Sequence, residues 1–354
     1  MGKLSLPGVV DAHVHLREPG AAYKEDVLSG TMAALAGGVI AVFDMPNNTP
    51  PIVDRCTLAH KRSLFEERAV ADYGLFLGYD GGDVDAFGEL AEEVVGLKLY
   101  LDETFGDMTT AVPELLNQVF EVWPGPGPIA VHAESDSIPV ALRLAERHHQ
   151  RLHVCHVPHP DDLLIIDAAR QRGLDVTCEV TPHHLFLSKE DVGRLGAFGY
   201  MKPPLLSAKE VDLFWQRLDL VDIVASDHAP HTRTEKMSPD PPPGVPGLET
   251  LLPLFLRAID EERLTWQRFE EMTYHNPLEI YGRYAPEDTE VEVVLGEAYR
   301  LPDNGYQTRC DWSPFAGQWA LGRVSTVRLR GKIVWEKDQL VTSPGYGRPL
   351  RSRV

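Results

Sequence analysis

The chain has 354 residues, 43% of them hydrophobic, enough to bury a large core either as one barrel-sized domain with appendages or as two domains. Its 34 basic and 53 acidic residues leave a net charge of -19, which argues against nucleic acid or an anionic membrane as partner, because both select basic patches. No stretch reaches the roughly 18 apolar residues of a membrane span, and the N-terminus lacks a charged-then-apolar secretory pattern. Cys56, Cys155, Cys178 and Cys310 have no regular spacing, which fits a reducing, cytoplasmic compartment better than a disulfide scaffold.

Taken in order, strand-length apolar runs alternate with helix-length amphipathic segments, the signature of βα units around a parallel sheet. The first strand is expected at Gly8 to His15, followed by a small-residue helix, Val27 to Ala36, that Gly37-Gly38 stops. The next pairs are Val39–Phe43 with Thr57–Glu67, Asp72–Leu77 with Asp83–Glu93, and Gly96–Tyr100 with Val112–Val122, where Pro113 suits a first helical turn. Then come Ile129–His132 with Ile138–His149, Leu152–His156 with Asp161–Arg172, Asp175–Val180 with Lys189–Leu195, and Val221–Ser226 with Leu248–Ile259. Eight such units predict an α/β fold, a closed (β/α)8 barrel over residues 8–285, with a doubly wound sheet as the alternative. A helix at Trp266–Tyr274 and strands at Val291–Leu295, Val324–Leu329 and Ile333–Trp335 follow; residues 286–354 are expected to form a small β-rich appendage with residues 1–7.

A barrel of this kind carries its chemistry at the C-terminal ends of its strands. His13 and His15 end the first strand and, at a period of two, share a face; Lys98 lies in the fourth strand, His132 and His156 end the fifth and sixth, and Asp227 follows the eighth. A bare H-x-H is equally a pair of packed or solvated imidazoles, but the convergence of the others on the same end points to metal. His60, His148 and His149 fall in helices and read as solvated. Imidazoles and carboxylates suit zinc or a similar divalent ion, and this set exceeds one tetrahedral site, so two ions are expected. An ammonium cannot ligate a cation, and Lys98 could simply be ion-paired. If burial deprotonates its amine, however, carbon dioxide can add to it, and the carbamate can bridge two metals, with a water between them ionising near neutral pH.

The segments His13-Val14-His15-Leu16-Arg17-Glu18-Pro19-Gly20, Met45-Pro46-Asn47, Gly96-Leu97-Lys98-Leu99-Tyr100, Val131-His132-Ala133-Glu134, Cys155-His156-Val157, Glu179-Val180-Thr181-Pro182-His183-His184-Leu185 and Ala225-Ser226-Asp227-His228-Ala229-Pro230-His231 together resemble dihydroorotases of the amidohydrolase superfamily. The likeness is greatest to the dihydroorotase domain of the multifunctional animal polypeptide that also carries carbamoyl-phosphate synthetase and aspartate transcarbamoylase. It runs on through Pro243-Gly244-Val245-Pro246-Gly247-Leu248-Glu249-Thr250 to Pro344-Gly345-Tyr346-Gly347.

The resemblance implies reversible closure of N-carbamoyl-L-aspartate to L-dihydroorotate with loss of water, in pyrimidine synthesis. It implies two Zn2+ ions bridged by carboxylated Lys98, one also held by His13, His15 and Asp227, the other by His132 and His156. Asp227 would take the proton of a bridging hydroxide and pass it to the leaving nitrogen. Arg17, Asn47 and His231 would hold the substrate carboxylate, Pro243 and Gly244 would line its ring-amide side, Lys202 would also contact substrate, and Thr104 and Phe105 would sit on a lid after Lys98 that excludes water. It further implies a homodimer and, as possible neighbours, the carbamoyl-phosphate synthetase and aspartate transcarbamoylase domains.

Cys155 and Glu179 match residues that can hold a third zinc. Strand alternation, however, puts Cys155 opposite His156 as an inert buried thiol, while Glu179 divides evenly between the site and a structural ion pair. His183 and His184 read as structural. Three departures stand out: Lys202 where the relatives carry Arg, Asn48 where they carry Thr, and Asp102 where they carry Asn; the first matters if the side chain makes a bidentate contact. Stand-alone bacterial relatives carry more chain before H-x-H, so the short N-terminus suggests a domain of a larger polypeptide. Two rival readings are another cyclic amidohydrolase, of allantoinase or dihydropyrimidinase type, against which Arg17, Asn47 and His231 speak, and an inactive scaffold domain, against which the complete ligand set speaks.

Overall fold

The computed structural model describes residues 2–85, 87–103, 108 and 112–353. After β1 (Gly2–Leu6), the barrel begins with β2 (Val9–Val14) and β3 (Val39–Asp44), in which every residue is buried, as a parallel sheet covered on both faces requires. They continue into β4 (Asp72–Leu75); a short β5 (Leu77–Gly78) carries the same strand on past Phe76. Then come β6 (Leu97–Tyr100), β7 (Ile129–His132), β8 (Leu152–Val154), β9 (Val176–Val180) and β10 (Ile223–Val224), parallel neighbours in chain order. The last strand meets the first through a parallel bridge between Val14 and His228, with the His15 amide donating to the His228 carbonyl at 2.8 Å. Counting β4 and β5 as one strand broken at Phe76, the described residues form the eight-stranded α/β barrel that the βα alternation predicts.

The outer helices differ from expectation where local chemistry overrides the apolar pattern. The first helix is Val27–Ala36, with an Asp26–Ser29 capping box at its start and Gly37 at its end. In place of a helix over residues 83–93 there is one turn, Phe87–Leu90, and a 3-10 turn, Ala91–Glu93. Gly81, Gly82 and Gly88 make a long helix there costly. The span expected to be the helix after β9 is a 3-10 turn, Lys189–Asp191, and one turn, Val192–Leu195; the longer helix of that unit is Ala208–Gln216. Its start was legible, since Ser207 and Glu210 are spaced as a capping box and form one. The helix expected at Trp266–Tyr274 runs from Trp266 to Glu270, widens into a π turn at Glu271–His275 and resumes as Asn276–Ile280. Pro277, lacking an N–H, cannot bond back into the preceding turn.

Beyond the barrel come β11 (Glu290–Leu295), β12 (Tyr299–Arg300), β13 (Trp319–Ala320), β14 (Arg323–Leu329), β15 (Lys332–Glu336) and β16 (Gln339–Leu340). Five strands form an antiparallel sheet in the order β1-β11-β14-β15-β16, so the N-terminal strand pairs with the C-terminal segment. The tail then returns along the barrel: the Tyr73 amide donates to the Arg348 carbonyl, the Leu350 amide donates to the Tyr73 carbonyl, and Arg330 Nη1 meets both oxygens of the buried Asp72 carboxylate. Among the described residues no helix is long and apolar enough to cross a membrane.

Candidate active site

Three backbone reversals shape the barrel mouth. Arg17, His156 and Asp227 lie just past the ends of β2, β8 and β10 with φ of 46°, 30° and 46°, conformations that L-residues rarely adopt and that concentrate at functional sites. They bring side chains from three strands over one small pocket lined by His13, His15, Arg17, Asn47, Tyr100, His132, His156, Lys202, Asp227, Ala229, Pro243 and Gly244.

At its floor the Nε2 atoms of His13 and His15 face Asp227 Oδ1 at 3.5 and 3.2 Å. Their other ring nitrogens are held from behind: His13 Nδ1 by Glu179 Oε1 at 2.5 Å, and His15 Nδ1 by Asn47 Oδ1 at 2.7 Å. A carboxylate or amide oxygen on Nδ1 fixes the tautomer and turns the Nε2 lone pair inward, the arrangement found behind metal-ligating histidines. Opposite, His132 Nδ1 and His156 Nε2 face each other at 3.0 Å, and their remaining nitrogens are buried without a hydrogen-bond partner. Burial pushes the His132 pKa down to about 3, helped by Lys98, and the His156 pKa well below the usual range, so both rings stay neutral and keep a lone pair for a cation.

Lys98 is fully buried between the two groups, with Nζ 2.9 Å from Cys155 Sγ and 5.2 Å from the centre of the Tyr100 ring. Among the described residues no carboxylate lies within ion-pair distance of it, contrary to the ion-paired reading. His13, His15 and Asp227 offer ligand atoms within 4.8 Å of one another, as do His13, Cys155 and Glu179. The donor set therefore fits a metal centre: His13 and His15 anchored from behind, an ionised Asp227 carboxylate, and the buried His132 Nε2 and His156 Nδ1, which lack a hydrogen-bond partner.

Cys155 stands differently from expectation. The strand ends at Val154, and just beyond it the buried thiol lies within ligand reach of His13 and Glu179. Glu179 is engaged on both oxygens, by His13 Nδ1 and the His156 amide on one and by His153 Nε2 at 3.1 Å on the other.

On the outer side, Arg17 Nε donates to the Pro230 carbonyl and its Nη2 lies 3.1 Å from His231 Nε2, which meets the Pro243 carbonyl at 2.9 Å. Lys202 sends its ammonium to the Glu103 carbonyl at 2.9 Å, at the root of the expected lid. Thr104 and Phe105 lie outside the described residues. His184 is structural, bonded to Thr181 Oγ1 and the Pro203 carbonyl, whereas His183 is buried with Nε2 unpartnered. His60 and His149 are exposed, and His148 meets Asn117.

Sequence reading passed over several supporting groups. Tyr100 lines the pocket with its hydroxyl buried and unpartnered, a placement foreseeable from its position two residues after Lys98 on the same strand face. Asp11, raised to about 7 by burial, accepts from the amides of His13 and Ser226 and so ties the first strand to the last. Lys61 is buried against Asp44 at 2.8 Å and donates to Asn48 Oδ1 at 2.6 Å, which gives the Asn48 departure a partner of its own.

Residues 2–99 match a family described as Dihydro-orotase-like. The multifunctional protein CAD of Squalus acanthias is 43% identical over 350 residues, covering 99% of this chain and 16% of that protein. The multifunctional protein pyr1-3 of Dictyostelium discoideum is 40% identical over 357 residues, so the chain spans about 16% of the length of either. The dihydroorotase of Pyrococcus furiosus is 33% identical over 357 residues, covering 97% of this chain and 84% of that enzyme. Among solved structures, the L-hydantoinase (dihydropyrimidinase) of Arthrobacter aurescens superimposes with a TM-score of 0.93 at 25% identity, over 99% of this chain and 89% of that one. An inactive dihydroorotase-like domain of a Chaetomium thermophilum CAD-like multifunctional protein gives 0.84 at 24% identity over 99% of each chain, a likeness of fold. With a barrel mouth of this composition and stand-alone dihydroorotases matching over nearly its whole length, the chain belongs to the dihydroorotase family.

Proposed function

We propose that the chain is a zinc-dependent dihydroorotase, interconverting N-carbamoyl-L-aspartate and L-dihydroorotate plus water in the cytoplasm as a step of pyrimidine synthesis. The observation that carries this reading is the pocket in which His13, His15, His132, His156 and Asp227 adjoin Arg17 and Asn47, with Lys98 buried against Cys155 and Tyr100 and His231 against Arg17, an arrangement that supports an amide-cleaving centre beside a carboxylate receptor. Two Zn2+ ions would be held by His13, His15 and Asp227 on one side and His132 and His156 on the other, with carboxylated Lys98 between them. When bound they supply Lewis acidity to the reacting carbonyl and lower the pKa of water.

The protein's own groups do the rest. Asp227, which burial alone would push up, is held ionised well below the usual carboxylate range by His13 and His15, and so can accept a proton. In the hydrolytic direction it takes the proton of the attacking water and returns it to the departing ring nitrogen; in synthesis the order reverses. Arg17 offers a guanidinium fork to the carboxylate, and the backbone at Pro243 and Gly244 walls the ring-amide side. Glu179, with both oxygens engaged, serves this reading as the anchor of His13 rather than as a ligand of a third ion. The short span of the multifunctional relatives that the chain matches supports carbamoyl-phosphate synthetase and aspartate transcarbamoylase domains as neighbours; dimerisation through the chain itself completes the proposal.

The test is metal content per chain together with dihydroorotate hydrolysis and carbamoyl-aspartate cyclisation by the same sample, with hydantoin and dihydrouracil as competing substrates. Asp227→Asn should stay folded and lose about 10²–10⁴-fold in kcat, the usual contribution of a positioned acid–base group. Near-normal turnover in that variant, or preference for an uncharged ring, would refute the assignment.

A further inference from the structure

His231 is the one imidazole of the carboxylate-binding side, and it can aid an anion only if a proton sits on the nitrogen facing the pocket. Its Nδ1 lies 3.1 Å from the ammonium of Lys24, a side chain that is 3% exposed and on no strand or helix. An ammonium has donors and no lone pair, so Nδ1 must be the acceptor, and the single proton of the neutral ring falls on Nε2. Burial first, then Arg17, Lys24 and Lys236, pushes the His231 pKa far down, so the ring is neutral. The geometry agrees: Nε2 has the Pro243 carbonyl 2.9 Å away as its acceptor. Arg17 Nη2 lies 3.1 Å from the same atom and, like Lys24, can only donate; the Pro243 carbonyl decides between the two nitrogens, since it can only accept and so requires the proton on Nε2, where an anionic oxygen could share that proton and take the guanidinium donor as well.

Lys24 is itself fixed by Glu235, whose Oε1 lies 2.9 Å from its Nζ and also accepts from the Tyr23 hydroxyl at 2.8 Å. Glu235 in turn closes the capping box with Thr232, the residue that follows His231. The ammonium, its counter-ion and the imidazole are thus locked together by a turn that begins one residue after the ring.

We propose that Lys24 is a positioning residue for substrate recognition: by donating to Nδ1 it holds His231 in the Nε2–H tautomer, which presents a proton to the substrate carboxylate beside Arg17. It touches His231, not substrate. The substrate side of this statement rests on the dihydroorotase reading; the tautomer does not.

The experiment is nitrogen NMR of the ring atoms in the metal-loaded, histidine-labelled full chain, with His231 assigned by comparison with His231→Asn. Nε2 should carry the proton in the wild-type protein and in Lys24→Arg, and Lys24→Met should give a mixture or the Nδ1–H form. Nδ1–H in the wild-type protein overturns the proposal whether or not Lys24→Met folds, as does an unchanged ring in a folded Lys24→Met. In kinetics, Lys24→Met should raise KM for dihydroorotate about tenfold with kcat within about threefold, and this effect should vanish in a His231→Asn background. Additive effects of the two changes would show that Lys24 acts by another route. A wild-type chain that binds metal without hydrolysing dihydroorotate would refute the function and leave the tautomer to be decided by NMR.

Discussion

Lys98 concentrates the chemistry of the site into one side chain. An unpaired ammonium buried in a barrel is costly, and the described surroundings give it only a thiol and an aromatic face. The proposed conversion to a carbamate would replace that cation by an anion that a pair of divalent ions would stabilise. Lys98→Ala is therefore expected to lose metal and activity together, and short carboxylic acids in solution are expected to restore part of both by occupying the vacated space. Loss of activity with metal retained, checked by elemental analysis of the same sample, would point back to a purely structural lysine. Cys155, 2.9 Å from that amine, belongs to the same environment, and only the end of β8 at Val154 puts it there.

At the scale of elements, His13, Lys98 and His132 lie on strands, whereas His15, His156, Asp227 and the groups expected to meet substrate lie on the segments that follow them. The loop reaching Gly244 illustrates how tightly such a wall is built. Gly244 has φ of 132°, and a Cβ there would stand 2.6 Å from the Ala229 carbonyl and 3.1 Å from His231 Nε2. Lys236 anchors the same loop, its buried ammonium donating to the carbonyls of Tyr200, Pro242 and Gly244 at 2.9, 3.0 and 3.1 Å. Gly244→Ala should cost about 1–3 kcal/mol through backbone strain. It should also raise KM for dihydroorotate more than it lowers kcat, because the displaced groups bind rather than react. Thermal melts and steady-state kinetics on the zinc-loaded protein check both; a variant with unchanged KM would show that the wall does not meet substrate.

Over the whole molecule, the C-terminal segment is tied to the barrel by a partly buried carboxyl whose charge depends on pH. Glu249 precedes the helix Leu251–Asp260 and accepts from the amides of Gln307 and Thr308 at 2.9 and 3.0 Å. Burial pushes its pKa up from 4.5 to about 8 despite those bonds. Because the folded value is raised, the group favours the folded state fully below pH 4.5, and that contribution is lost as pH climbs towards 8. Glu249→Gln cannot ionise, so its stability relative to wild type should rise between pH 5 and pH 8.5, by a few kcal/mol at about 1.4 kcal/mol per pKa unit. Denaturation of both proteins at the two pH values measures this, and a difference independent of pH would show that the carboxyl is not buried in this way.

The sequence by itself determined the barrel and the identity of its ring of donors. Apolar runs alternate with amphipathic ones regardless of tertiary detail, and in such a fold a residue ending a strand must face the mouth. That is why His13, His15, Lys98, His132, His156 and Asp227 could be named together from one chain, and why the pairing of the first residues with β11 could be anticipated. The tertiary structure alone decided what depends on contacts distant in sequence or on turns that break strand periodicity. It brought Cys155, just beyond the end of β8, to the side of Lys98. It broke the expected helix at residues 189–195 into a 3-10 turn and a single helical turn, and gave that unit its longer helix at Ala208–Gln216, of which only the capping-box start was legible in the sequence. Across 207 positions it set Lys24 against His231: a lysine in a loop carries no period, and only the folded chain shows which ring it touches.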